Sequence, residues 1–255
     1  MRASVNTILP LLQNGGLERT SFSCYKRRMG LTIHWTLSTQ RELSDAVVKE
    51  LAARTKAFAR KIGCAKVLGP KRGGPDEIKL RQLPNGDTTG DFIPAKSGWS
   101  AMVLPGAGAE PAEFGLCRYS GSPHWKLTGA CKTQYAAQHG WEHFLLCHRR
   151  VISLLDLWRD FGVDAKVTDE GEFWETRSVE RLRERLGTYD RLVAGMAGAL
   201  KDSLGKGPRG VQAEIFNDAR FERLEAEGRA EFAAKIEEVR KIIQALGGRN
   251  QPGVD

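Results

Sequence analysis

Hydrophobic and polar residues alternate at the start of the patterned part of the chain. Leu31, Ile33, Trp35 and Leu37 fall on one face, and Thr32, His34 and Thr36 on the other. A period of two predicts a half-buried strand with His34 on its solvated side. Thr39 and Glu42 have the spacing of a capping box, which predicts a helix running to about Lys61. Leu43, Val47, Leu51, Phe58 and Ile62 would form its buried stripe, and Gly63 its stop. With a strand over 64–68, the opening reads as strand, helix, strand.

Residues 69–98 are rich in glycine, proline and charge and predict a hairpin or flap, with a strand over 78–83 and a turn at Pro84-Asn85-Gly86-Asp87. Further strands are expected over 99–104, 114–119 and 125–135. In the last of these, Trp125, Leu127, Gly129, Cys131, Thr133 and Tyr135 share one face. From Trp141 to Phe161 the period becomes helical, with Phe144, Cys147, Val151, Leu154, Leu155 and Trp158 on the apolar side. Gly162 ends that helix and 163–167 predict another strand. Ser178 caps a helix to about Leu204. A final helix over 218–246 carries Phe221, Leu224, Phe232, Ile236, Val239, Ile242, Ile243 and Leu246 on one side and opposite charges on the other.

Short strands in succession, interrupted by helices, predict an α+β fold. The expected form is a mixed, largely antiparallel sheet packed by three helices, with a long C-terminal helix against the body or a second subunit. Three segments follow: 1–28 as a flexible extension with Met29 as the alternative start, 29–204 as the α+β domain, and 205–255 as a helical appendage with a flexible tail.

The 255 residues, 41% hydrophobic and 27% charged, suffice for a core that needs no disulfide or structural metal. No apolar run is long enough to span a bilayer. An odd number of cysteines, five, argues against a secreted disulfide framework and for a reducing cytoplasm. The net charge of +8 suggests acidic partners, but half of it lies in residues 1–28. The remainder solvates a surface, and no basic-aromatic motif argues for nucleic acid.

Candidate chemistry concentrates in 131–175. Cys131 is a candidate nucleophile, with His143 or His148 as base and Asp169 or Glu170 to orient that base. The alternative is a core thiol. His143 and Cys147, four apart on one helix face, have the spacing of two metal ligands, for instance to zinc, although no CxxC or HExxH motif accompanies them. Asp169, Glu170, Glu172 and Glu175 surround Phe173 and Trp174. Paired carboxylates can serve as acid and base, and Tyr135, Glu172 and Trp174 can line a ligand site. The same carboxylates can instead cap the next helix or pair with Arg177 and Arg181. The glycine-rich run 105–111 lacks the third glycine of a dinucleotide fingerprint and reads as a connecting loop.

The runs Cys131-Lys132-Thr133-Gln134-Tyr135-Ala136, His143-Phe144, Cys147-His148, Leu154-Leu155-Asp156 and Asp169-Glu170-Gly171, with Phe173-Trp174-Glu175, resemble a group of uncharacterised bacterial proteins. The resemblance spans roughly 29–204, treats that stretch as one unit and implies no particular activity. The residues themselves predict a small-molecule hydrolase or transferase, with Cys131, His143, His148, Asp169 and Glu170 around one pocket. A non-catalytic ligand- or protein-binding protein is the first alternative, and a nucleic-acid-associated protein the second. The C-terminal helix is the expected site of a homodimer.

Overall fold

The computed structural model describes residues 31–83, 88–122, 124–204 and 213–247. The extension 1–28 and the turn at 84–87 therefore lie outside the described residues. In chain order the elements are β1 (Thr32–Thr39), α1 (Asp45–Lys61), β2 (Lys66–Arg72), β3 (Glu77–Gln82), β4 (Thr88–Ile93), β5 (Ala95–Leu104), β6 (Ala112–Tyr119) and β7 (Trp125–Lys132). A 3-10 turn (Gln134–His139) follows, then α2 (Trp141–Asp160), β8 (Asp164–Asp169), α3 (Phe173–Thr176), α4 (Val179–Leu204), a second 3-10 turn (Glu214–Asn217) and α5 (Phe221–Gly247).

The fold is α+β. Six strands form one sheet in the order β2-β5-β6-β7-β1-β8, antiparallel at every pairing, and β3 and β4 form a separate hairpin. β1 and β2 therefore run parallel with three strands between them, joined by α1 as the strand-helix-strand pattern implied. Helices cover one side of the sheet. Trp35 on β1 stacks on Phe114 of β6 at 5.0 Å, and Leu31, Ile33 and Leu37 enter the same core as Phe144, Val151, Leu155 and Trp158 of α2. Burying such side chains is the main favourable term in folding. Among the described residues no helix is long and apolar enough to cross a membrane.

Several boundaries differ from expectation. Thr39 caps nothing: it is the last residue of β1, paired to Trp125, and its hydroxyl accepts from the Arg41 amide at 3.1 Å. Ser44 caps α1 instead, accepting from the Val47 amide at 3.3 Å. Starting there turns the helix so that Val48, Ala52, Thr55 and Ala59 are buried, while Val47 is exposed. These smaller residues let α1 lie against β2 and β5. β7 stops at Lys132, because Gln134 folds inward: its side-chain oxygen accepts from the Leu31 amide at 3.2 Å, and its amide nitrogen donates to Asp190 at 3.0 Å. Ser178 does cap α4, accepting from the Arg181 amide at 3.1 Å.

The first half of α4 contributes Leu182 and Leu186 to the main core. Its second half forms a small separate core with the C-terminal segment, made of Ala194, Ala197, Ile215, Phe221 and Leu224. Phe232, expected on the packed stripe of α5, is 57% exposed. The side chains at 236, 239, 242, 243 and 246 lie outside the described residues.

Candidate functional site

Helix α2, strand β8 and the residue that follows strand β7 bring His148, Asp169 and Thr133 together in the core. Thr133 Oγ1 lies 2.9 Å from His148 Nδ1, and His148 Nε2 lies 3.1 Å from Asp169 Oδ2. An ionised carboxylate only accepts, so Nε2 is assigned the hydrogen that points at Asp169. Asp169 also accepts from the amides of Gly171 (2.8 Å), Phe173 (2.9 Å) and Trp174 (2.9 Å), and so organises the turn into α3. Burial pushes its carboxyl up. The hydrogen bond and charge of His148, with the Trp174 and Gly171 amides, outweigh that and hold it below the ordinary carboxylate value.

Hydroxyl, imidazole and carboxylate stand in the order of a nucleophile, base and orienting acid. All three side chains are buried, and the clefts of about 570, 780 and 850 Å³ on the described surface are lined by none of them. None of these clefts gives a reacting atom an approach to the three side chains. The arrangement ties the end of β7, α2 and β8 into one unit. Nearby, Glu170 accepts from the Thr32 amide at 2.8 Å and so joins β8 to β1.

Cys131 is not beside either histidine in the hydrogen-bond pattern. Its thiol has no exposure and donates to the Glu110 carbonyl at 3.1 Å. Burial pushes its pKa far up, with the Glu110 carboxylate, Cys147 and Cys64 adding to the shift. A thiol in that setting is a poor nucleophile at neutral pH. We expect Cys131 to resist iodoacetamide at pH 8 until the chain is unfolded, read by peptide mass spectrometry. Modification in the native state at the rate of a free thiol would contradict the core assignment.

His143 Nε2 lies 2.9 Å from the Ala107 carbonyl and 3.5 Å from Cys147 Sγ. The glycine-rich loop is thus packed onto α2, and a Cβ on Gly106 would fall inside the Cys147 sulfur. That close approach gives the glycine its reason. Among the described residues, no group of three or more His, Cys, Asp or Glu is placed to hold a metal ion. The acidic turn is likewise engaged. Glu172 forms ion pairs with Arg181 (3.3 Å) and Arg185, while the Trp174 ring lies beneath Arg159 and Arg177. Tyr135 lies 5.9 Å from the Lys132 ammonium. The predicted site residues therefore fall into a buried relay, a loop contact on α2 and a surface charge network, not around one pocket.

The uncommitted chemistry lies on the opposite side of the sheet. β1 pairs with β7 and β8, so Thr168, His34 and Ala130 form one cross-strand row, and Lys166, Thr36 and Thr128 the next. Residues directly opposite share a face, and this one carries no helix. Thr36 and Thr128 hydroxyls lie 3.2 Å apart. Residues 75–78, leading into the β3–β4 hairpin, roof this face and leave a cleft of about 570 Å³. Two contacts fasten the roof: Tyr119 donates to the Pro75 carbonyl at 3.0 Å, and Lys126 pairs with Glu77 at 2.6 Å. The cleft adjoins a second hollow of about 780 Å³, with Lys126 and Lys166 lining both.

A larger hollow of about 850 Å³ lies where the first 3-10 turn meets α4 and the start of α5. Its charges are largely internal: Arg220 pairs with Asp218 at 2.8 Å and Asp190 at 3.4 Å, and Arg183 stacks on Trp141. Burial pushes the Asp190 carboxyl up, against its bonds to Gln134 and Arg220. The alternation on β1 already marked His34 as outward-facing. What it did not reveal is which residues of β7 and β8 stand beside it.

Comparison with protein-family models, curated proteins and solved structures finds no match to this chain.

Proposed function

We propose that this protein binds a small ligand without transforming it, on the open sheet face beneath residues 75–78. The observation that carries this reading is a roofed cleft of about 570 Å³, lined by His34, Thr36, Thr128, Lys166 and Thr168, none of which the core uses. The volume lies within the range of small-molecule sites, roughly 300–1,000 Å³. The residues that would carry hydrolysis or group transfer are engaged elsewhere: Cys131 in the core, His148 and Asp169 in a buried relay, and Glu170 on a backbone amide.

The test is thermal denaturation of the full chain against nucleoside monophosphates, sugar phosphates, aromatic carboxylates, amino acids and tripeptides. At least one class should raise the melting temperature by several degrees at about 100 times its dissociation constant. Thr128→Trp, which fills the cleft from an exposed position, should abolish that rise. A rise that persists in Thr128→Trp places the ligand elsewhere, and turnover of the bound compound replaces this reading with an enzymatic one.

A further inference from the structure

We infer that the ligand of the roofed cleft is a short apolar peptide with free ends, held between Lys166 and Asp76; this rests on reading that cleft as the binding site. The two residues line the cleft from different sides, Lys166 on β8 in the floor and Asp76 in the roof. Among the described residues neither takes part in an ion pair, whereas the other two charges lining the cleft, Lys126 and Glu77, neutralise each other. A simple anion drawn to Lys166 is repelled by Asp76, and a simple cation meets the reverse. A zwitterion satisfies both, and like-charge juxtaposition excludes the others.

The walls differ in polarity as well as charge. Thr36, Thr128, Thr168 and His34 supply groups that donate and accept, which is what peptide N–H and C=O groups require. The roof supplies apolar surface. Ile78 lines the cleft and pairs across the hairpin with Phe92, and Leu80 lies two residues along the same strand face. Their exposures of 38%, 54% and 75% are high for such side chains. Apolar side chains exposed beside a polar cleft offer contact surface to the apolar side chains of a peptide. The neighbouring hollow, also lined by Lys126 and Lys166, gives room for more than a single amino acid.

The experiment is isothermal titration of the full chain with the tripeptide Ala-Phe-Ala, its N-acetyl form and its C-terminal amide. The free peptide should bind, and each cap should weaken binding by about two- to fivefold, the upper part of the range for one exposed ion pair. In Asp76→Asn the N-acetyl cap should cease to matter, and in Lys166→Gln the amide should cease to matter. Both positions are exposed, so the substitutions leave the fold in place, which circular dichroism checks. Caps without effect, or effects unchanged in the variants, overturn the assignment. If Ala-Phe-Ala fails while another compound class stabilises the wild type but not Thr128→Trp, the peptide is wrong and the cleft stands. If no class shows that dependence on Thr128, both readings fall.

Discussion

Replacing Asp169 with alanine should cost about 3–5 kcal/mol of folding stability, because several buried donors lose their one acceptor together. The size follows from what is left behind. The Gly171, Phe173 and Trp174 amides and His148 Nε2 all point at this carboxylate, and the turn into α3 places no other acceptor on them. Each orphaned donor carries its own desolvation cost. Asp169→Asn keeps an acceptor oxygen but loses the charge, so its cost should be smaller, about 2 kcal/mol. Urea denaturation at pH 7 reads both values. A loss below about 1 kcal/mol for Asp169→Ala would show that the relay is dispensable to the fold.

The same carboxylate sets a pH signature. Its folded pKa is held below the ordinary value of 3.8. Stability from Asp169 is therefore fully present above about that pH and is lost as pH falls through the lower folded value. Denaturation of wild type and Asp169→Asn at several pH values should show a gap that is constant near neutrality and closes in acid. A gap that widens in acid would mean that the folded state raises this pKa.

How much of this was legible in the sequence depends on how local each feature is. The alternation of β1, the helical period of α2 and the Ser178 cap are statements about neighbours along the chain, and all three hold. The strand order is not local: β1 lies between β7 and β8, more than 80 residues away, and alternation carries no information about partners. The cap of α1 went to Ser44 because pairing with Trp125 extends β1 to Thr39, a tertiary effect that overrides a local motif. The cluster of chemical residues over 131–175 was visible, but its role was not. His148 and Asp169 can equally serve catalysis or the core, and only burial decides between them. The cleft escaped notice for the converse reason: its threonines, histidine and lysine look like ordinary solvated strand positions until three strands and a roof are assembled around them.

Gly228→Leu should separate the C-terminal unit from the rest of the protein. α4 and α5 cross with backbones in near contact, and a Cβ on Gly228 would fall inside the Arg191 carbonyl. Gly195 stands opposite: a Cβ there would lie 3.0 Å from the Gly228 carbonyl carbon. Two glycines facing each other let the helices approach more closely than side chains permit. A leucine must push α5 outward, at about 3 kcal/mol or more for overpacking against backbone that cannot yield. The small core of Ala194, Ala197, Ile215, Phe221 and Leu224 has few residues to offset that cost, and the Lys201–Glu225 pair at 3.1 Å goes with it. The main core around Trp35 and Trp158 shares no residue with this cluster, so it should persist. Hydrogen exchange followed by mass spectrometry should show lost protection over 221–235 and retained protection over 32–39 and 141–160. Loss of all three together would mean that α4 transmits the disruption and that the chain folds as one cooperative unit from β1 to α5.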